Sequence, residues 1–329
     1  MKKCYFLLVL LFLLTIPTPT KGELVNPNQI YSFSQLETDL NQLQSKYGKH
    51  IQVKSIGISH YGRNIWAVRL GKGEQNILMI GAHHGREWLT TSILMKMIEE
   101  YAKTYEQGDE YGGNSLQLLD QVSIWFVPML NPDGVMIQQN GLDEFSFFRR
   151  WLLKRMNDGS SNFSRWKANA KGIDLNRQYP VGWKELDSGP KTPFYQFYKG
   201  KKPLAAKETV AITKFTKKIK PTIAVAYHSA GREIFWNYKN GKNFERDRKI
   251  AEKIAQSTQY RLSQPPKIAT GAGYTDWFIT TFHLPAMTIE ICPYTKETNP
   301  PLTYFEEEWK RNQYVGILLI EEASKLISK

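Results

Sequence analysis

From residue 34 onward the chain switches repeatedly between two hydrophobic periods. Leu36, Leu40, Leu43 and Tyr47 recur at helical spacing. Ser34, with Glu37 three residues later, forms a capping box, so a helix is predicted from Ser34, with Gly48 ending it. Apolar runs at Ile51–Ile58, Ile65–Leu70 and Ile77–Ile80 read as strands, with Tyr61-Gly62-Arg63-Asn64 as a hairpin connection between the first two. Helical spacing returns from about Thr90 to Tyr101, through Ile93, Leu94, Met97 and Ile98. Val122–Val127 reads as another buried strand and runs into Asn131-Pro132-Asp133-Gly134, a strong turn signal. A helix near Lys207–Ile219 precedes a strand at Thr222–Tyr227, and a helix near Arg246–Thr258 follows. Pro285–Cys292 is a late strand, and Phe305–Ile327, with Trp309, Ile317, Ile320 and Leu326, reads as one closing helix.

Buried strands alternating with helices predict an α/β fold, a mixed sheet with helices on both faces. Residues 140–205 break the pattern: they are irregular and rich in Gly, Pro, Trp and Tyr. So long an irregular stretch in a compact domain is usually functional. No repeat, low-complexity tract or linker divides the chain after residue 22, so residues 23–329 are expected to form one domain.

The first residues read differently. Lys2 and Lys3 precede the apolar run Tyr5–Leu14, and Pro17, Thr18, Pro19 and Thr20 break it before Gly22. This is the layout of a secretory signal over residues 1–22. The run is shorter than the about 20 residues a bilayer span needs, so no stable span is expected after cleavage; an uncleaved anchor is the alternative. Cys4 precedes the apolar run and so does not mark a lipoprotein. Cys292 is then the sole cysteine, which excludes an internal disulfide. A secreted or cell-wall-associated location, with bacterial export, is the expectation.

The formal charge of +13 becomes +10 without Lys2, Lys3 and Lys21. Basic clusters lie at Arg149, Arg150, Lys154 and Arg155, at Lys199, Lys201 and Lys202, and at Lys217, Lys218 and Lys220. Such charge favours anionic surfaces, cell-wall polymers among them. No nucleic-acid motif or zinc-finger spacing accompanies it, and nucleic acid is not expected as a partner.

Candidate chemistry starts at Gly81-Ala82-His83-His84-Gly85-Arg86-Glu87-Trp88, directly after a buried strand. Ligands bind at the carboxyl ends of strands in α/β folds. His84 and Glu87 at this spacing can reach one zinc ion, and a third protein ligand would leave a position for water. His228 ends the apolar strand Ile223–Ala226 and lies far along the chain, as a fold-assembled site requires. A hydrolytic zinc site also needs a carboxylate to move protons. Glu290, alone in the apolar run Ala286–Cys292, is the candidate, because a buried glutamate is costly without a reason. Arg86 could stabilise an oxyanion, and Asn176 with Arg177 offers an amide and a guanidinium suited to a carboxylate.

His84-Gly85-Arg86-Glu87-Trp88, Asn131-Pro132-Asp133-Gly134, Asp174-Leu175-Asn176-Arg177, His228-Ser229 and Glu290 occur in the order and spacing of the zinc metallocarboxypeptidases, the M14 peptidases. The chain resembles that family over nearly all of its length after residue 22. Trp166-Lys167-Ala168-Asn169 and Gly172–Arg177 are most similar to the bacterial γ-D-glutamyl-L-diamino acid peptidases within it, which cut peptidoglycan stem peptides.

The resemblance implies an eight-stranded α/β/α fold and one Zn²⁺ held by His84, Glu87 and His228, with Glu290 as general base and acid. It implies that Asn176 and Arg177 hold a terminal carboxylate, that Arg86 assists the carbonyl, and that Gly273–Trp277, with Tyr274 and Thr275, forms the substrate pocket. Two departures stand out. Lys167 occupies the place of an arginine that polarises the carbonyl in many relatives, with Arg165 as an alternative. Ile268 falls where relatives carry a mobile tyrosine, a role left to Tyr274 or to nothing. The expected activity is a zinc-dependent peptidase acting next to a carboxylate-bearing residue, with a γ-D-glutamyl-diaminopimelate bond in a peptidoglycan stem peptide as substrate. A general extracellular carboxypeptidase is the alternative, and a non-catalytic wall-binding protein a third.

Overall fold

The computed structural model describes residues 23–143, 145–266 and 270–327. The predicted signal, with Cys4, and the position of Ile268 lie outside the described residues. An eight-stranded sheet is built from β1 (Ile51–Ile58), β2 (Asn64–Leu70), β3 (Gln75–Ile80), β6 (Val122–Val127), β7 (Ile223–Ser229), β8 (Glu233–Phe235), β9 (Arg261–Ser263) and β10 (Ala286–Ile291). A small separate hairpin pairs β4 (Glu110–Tyr111) with β5 (Asn114–Ser115). The sheet order is β1-β2-β6-β3-β7-β10-β8-β9. The four central strands, β6, β3, β7 and β10, run parallel. Their near-continuous burial is what a sheet covered on both faces requires.

Side chains alternate across that sheet. Ile77, Met79, Ile124, Phe126, Val225, Tyr227 and Ile289 face a core shared with α1 (Phe33–Tyr47), α2 (Leu89–Gln107), α6 (Phe244–Thr258) and α9 (Val315–Ile327). Leu78, Ile80, Trp125, Val127, Ala224 and Ala226 face a second core with α5 (Lys207–Ile219) and α7 (Tyr274–Phe282). A third cluster, centred on Trp166, Leu153 and Phe163, underlies the irregular stretch. That stretch contains α4 (Phe147–Met156) and a short turn of helix at Leu175–Arg177.

Three expectations shift. The first helix is capped by Ser32, whose Oγ accepts from Gln35 N at 3.1 Å, not by Ser34. Asn131–Gly134 is not a free turn but the start of α3 (Pro132–Asn140), with Asn131 as cap. The closing helix is broken into α8 (Phe305–Asn312) and α9. The last two strands of the sheet, β8 and the edge strand β9, were not predicted, since three residues each are too few to show a period.

Candidate active site

β3 delivers the chain to the site. After Ile80 the backbone turns at Ala82, which is left-handed with φ 44°. Ala82 N donates to Thr90 Oγ1 at 2.8 Å, and that hydroxyl donates to Glu87 O at 2.7 Å. The turn of helix Gly85–Glu87 then brings His84 and Glu87 to one side. Gly85 has no alternative here: a Cβ would sit 2.4 Å from Gly134 O. Gly134 is equally confined, 2.5 Å from Ala168 O and 2.4 Å from Asn131 Nδ2. The two motifs therefore pack backbone to backbone. Asn131 locks them by donating from Nδ2 to His83 O and Ala168 O, at 3.1 and 3.2 Å. Asp133 reaches the β1–β2 hairpin, accepting from Ser59 Oγ, Arg63 Nη1 and Tyr61 N within 2.7–2.9 Å.

β7 and β10 supply the rest. They pair in parallel with Glu290 opposite His228, so the two side chains share a strand end. His84 Nδ1 and His228 Nδ1 lie 3.1 Å apart, and each is 2.9 Å from Glu87 Oε2. The ligand atoms of the three residues lie within 4.8 Å of one another, and all three are buried. Burial pushes the His228 imidazole below its ordinary value, towards the neutral form. Burial opposes ionisation of Glu87, but His84 and His228 hold its carboxyl well below the usual range. Two ring nitrogens and a carboxylate converging in this way are an acceptor set that suits a cation. His84 Nε2 lies 3.1 Å from Asp174 Oδ1, which fixes the tautomer with Nδ1 facing inward. Burial alone would raise Asp174, but His84, Lys167 and Arg177 hold it far below the carboxylate range. His83 is not part of the set: its ring stacks on His228 at 5.1 Å, and its Nε2 lies 3.2 Å from Tyr179 OH.

Glu290 is half-buried beside this cluster. Burial, together with the charges of Glu87 and Glu233, pushes its carboxyl up to about 8, against the pull of Lys167 and Arg86. A carboxyl so placed can hold a proton near neutral pH.

Cations ring the cluster. Arg86 is pinned by Arg165 O and Gln196 Oε1, both at 3.1 Å, and Gln196 in turn donates to Glu297 at 2.7 Å. Arg177 Nη1 donates to Ser188 Oγ at 3.4 Å, and its Nε lies 3.7 Å from Asp174. Phe197 lies between Lys167 and Arg177, with the Lys167 ammonium 5.1 Å and the Arg177 guanidinium 4.8 Å from its ring centre. Asn176 Oδ1 accepts from Tyr274 N at 2.9 Å, which turns its amide nitrogen the other way.

Three candidates stand differently from expectation. Tyr274 is a core residue, fully buried, with its hydroxyl 3.0 Å from Thr216 Oγ1 and its ring among Tyr179, Trp277 and Phe278. It cannot swing towards a substrate without unpacking that core. Thr275 is bonded to Thr288 Oγ1 at 3.1 Å, on the strand face that carries Glu290 two residues later. Arg165 is committed elsewhere, to Tyr195 OH at 3.2 Å and Asn157 O at 3.0 Å, which leaves Lys167 as the cation whose charge acts on Asp174, His228 and Glu290. Asp174, Gln196 and Phe197 were not singled out from the sequence for these roles. The short spacing of Asp174 to Asn176 was the one available signal.

Residues 36–315 match the sequence profile of the zinc carboxypeptidases, Peptidase_M14. The chain belongs to that family. It is a zinc metallopeptidase, and the buried His84–Glu87–His228 cluster fits the metal the family uses. Gamma-D-glutamyl-L-diamino acid endopeptidase 1 of Lysinibacillus sphaericus is 33% identical over 300 residues, covering 90% of this chain and 73% of that one. An uncharacterized protein of Bacillus subtilis, YqgT, is 32% identical over 272 residues, covering 81% and 71%. Among solved structures, bovine thrombin-activatable fibrinolysis inhibitor superposes with a TM-score of 0.74 at 16% identity, over 92% of this chain and 99% of that one, which establishes the shared fold.

Proposed function

We propose that this zinc peptidase hydrolyses the γ-D-glutamyl-diaminopimelate bond of cell-wall stem peptides, after export directed by residues 1–22. Zinc held by His84, Glu87 and His228 would supply Lewis acidity to the carbonyl and to the attacking water. Glu290 takes a proton from that water and returns it to the leaving nitrogen, so that one amide becomes a carboxylic acid and an amine. Asp174 keeps His84 oriented. Arg177, and the Asn176 amide nitrogen left open by the bond to Tyr274 N, hold the carboxylate next to the scissile bond. Lys167 and Arg86 stabilise the negative charge that develops on the carbonyl oxygen.

The observation that carries the substrate is the cavity beside Arg177. It has a volume of about 450 Å³ and is lined by Glu185, Asp187, Ser188, Tyr238, Lys239 and Thr270. Ser188, one of its walls, is bonded to Arg177. Asp187 is paired with Lys191, which leaves Glu185 and Lys239 as opposite charges in one pocket. Diaminopimelate ends in an ammonium and a carboxylate, and the two charges match that pair. An ordinary apolar C-terminal residue would strand both. The Lysinibacillus relative, named for a γ-D-glutamyl-diamino acid bond, supports the same reading.

The test is incubation of the zinc-loaded protein with a synthetic L-alanyl-γ-D-glutamyl-diaminopimelate peptide and with ordinary C-terminal dipeptides, products being read by mass spectrometry. Diaminopimelate release from the first alone is expected. Comparable kcat/KM on the ordinary dipeptides would point instead to a general metallocarboxypeptidase.

A further inference from the structure

Helix α4 sits oddly on the surface. Of its ten residues only Leu153 is fully buried. Phe147, Phe148 and Trp151 are 88%, 66% and 50% exposed. They are three of the seven large apolar side chains that stand out in water among the described residues. Phe148 and Trp151 stack on each other, with ring centres 6.2 Å apart. Arg149, Arg150, Lys154 and Arg155 interleave with them, all exposed. A soluble protein gains nothing from such a face unless something covers it.

A cleft of about 860 Å³ opens between α4 and the β1–β2 hairpin. Phe148, Leu152, Met156 and Pro193 give it apolar walls. Arg149, Arg155, Lys171 and Lys207 make its polar parts cationic, and no aspartate or glutamate lines it among the described residues. It shares no lining residue with the cavity beside Arg177. The cleft is nonetheless coupled to the catalytic face. Met156 O accepts from Tyr195 N at 2.8 Å, and Asn157 O accepts from Arg165, two residues before Lys167.

We propose that α4 and this cleft form a docking surface for an anionic phospholipid bilayer, the aromatic rings entering the interface and the arginines and lysines meeting the headgroup phosphates. A soluble polyanion would use the cations but leave three rings in water. A bilayer uses both, since interfacial helices bind through inserted apolar area plus attraction to anionic lipid. The cleft, apolar within and cationic around, suits one anionic lipid. The net charge, +13 for the whole chain and +10 without Lys2, Lys3 and Lys21, adds long-range attraction. The proposal does not depend on which peptide bond the enzyme cuts.

The experiment is co-sedimentation of the full chain with vesicles of phosphatidylcholine alone and of phosphatidylcholine mixed with phosphatidylglycerol. Variants F147S/F148S/W151S and R149Q/R155Q are compared with the wild type, and circular dichroism checks that each is folded. Binding to the mixed vesicles is expected, weakened by salt and by roughly tenfold or more in each variant. Because every protein carries the same residues 1–22, the difference between them reports on α4. Unchanged binding by both variants overturns the proposal. So does equal binding to both vesicle types, or capture by soluble poly(glycerol phosphate) that the aromatic variant leaves intact. A peptidase that cuts its substrate normally but passes none of the vesicle tests refutes the docking surface and leaves the catalytic reading standing.

Discussion

Asp174, buried, and Glu290, half-buried, are carboxyls near one metal cluster, yet their surroundings push them in opposite directions. Asp174 accepts from His84 Nε2 and is held ionised by His84, Lys167 and Arg177. Replacing it with asparagine removes the charge and leaves His84 free to present the wrong nitrogen. Asp174→Asn should therefore weaken zinc binding by about 10–100-fold, measured by titration against a metal buffer; unchanged affinity would mean that His84 is oriented by something else. Glu290 contributes no ligand to the cluster, so Glu290→Gln should leave the zinc content of purified protein at one ion per chain while kcat falls by a factor between about 10² and 10⁴. Loss of metal together with activity would show Glu290 to be structural. His228 was legible in the sequence because it ends an apolar strand, His84 and Glu87 because they follow one at a spacing that lets both reach a single ion, and Glu290 because a carboxylate inside an apolar run needs a reason. Gln196 and Phe197 were not, since nothing in an irregular stretch says which side chain folds back onto Arg86 or Lys167. Tyr274 misled because its place in the pocket rested on the resemblance alone, whereas its side chain packs into the core with Tyr179, Trp277 and Phe278.

At the scale of elements, helix and strand interiors were readable and their ends less so. Ser32 and Ser34 are both good cap residues two positions apart, and the local pattern cannot choose between them. Tertiary contacts decide: Tyr31, fully buried, bonds to Asp39, which fixes the chain entering α1 one residue before Ser32. Ser32 Oγ then accepts from Gln35 N, whereas Ser34 lies inside the first turn. Ser32→Ala should cost about 0.5–2 kcal/mol of unfolding free energy, and Ser34→Ala close to nothing, both by denaturant titration; the reverse order would restore the cap at Ser34. The same ambiguity made Asn131–Gly134 read as a turn. Asn, Pro, Asp and Gly serve turns and helix starts alike, and only the packing of Gly134 against Asn131 and Ala168 distinguishes them.

For the whole molecule, the alternation of buried strands with helices announced an α/β sandwich, but not the order of its strands, because register and crossover leave no local pattern. That order is what brings β3, β7 and β10 side by side and makes the metal cluster a joint between remote parts of the chain. A cation that ties β3 to β7 binds only the folded chain, so zinc should raise the midpoint of thermal unfolding over chelator-treated protein. At about a thousandfold excess over Kd the gain is about 4 kcal/mol, on the order of 5–10 °C for a chain of this size. The pH dependence has a definite sign. His83 and His228 are held below their ordinary value by burial. The unfolded chain therefore takes up protons near pH 6.5 that the folded chain refuses, and chelated protein should lose stability as pH falls from about 7.5 to 6. Glu290, raised to about 8, opposes this, so the measurement belongs in the Glu290→Gln background; Asp276, raised by burial to about 6, opposes it at the lower end of the window. Zinc competes with protons for the ligands of the folded chain, and burial keeps His228 neutral to below its ordinary value, so the gap between the zinc and chelated curves should narrow only towards the acid end of the window. A gap already absent at pH 7.5, where even a solvent-exposed imidazole is mostly neutral, would mean that this cluster does not hold the metal.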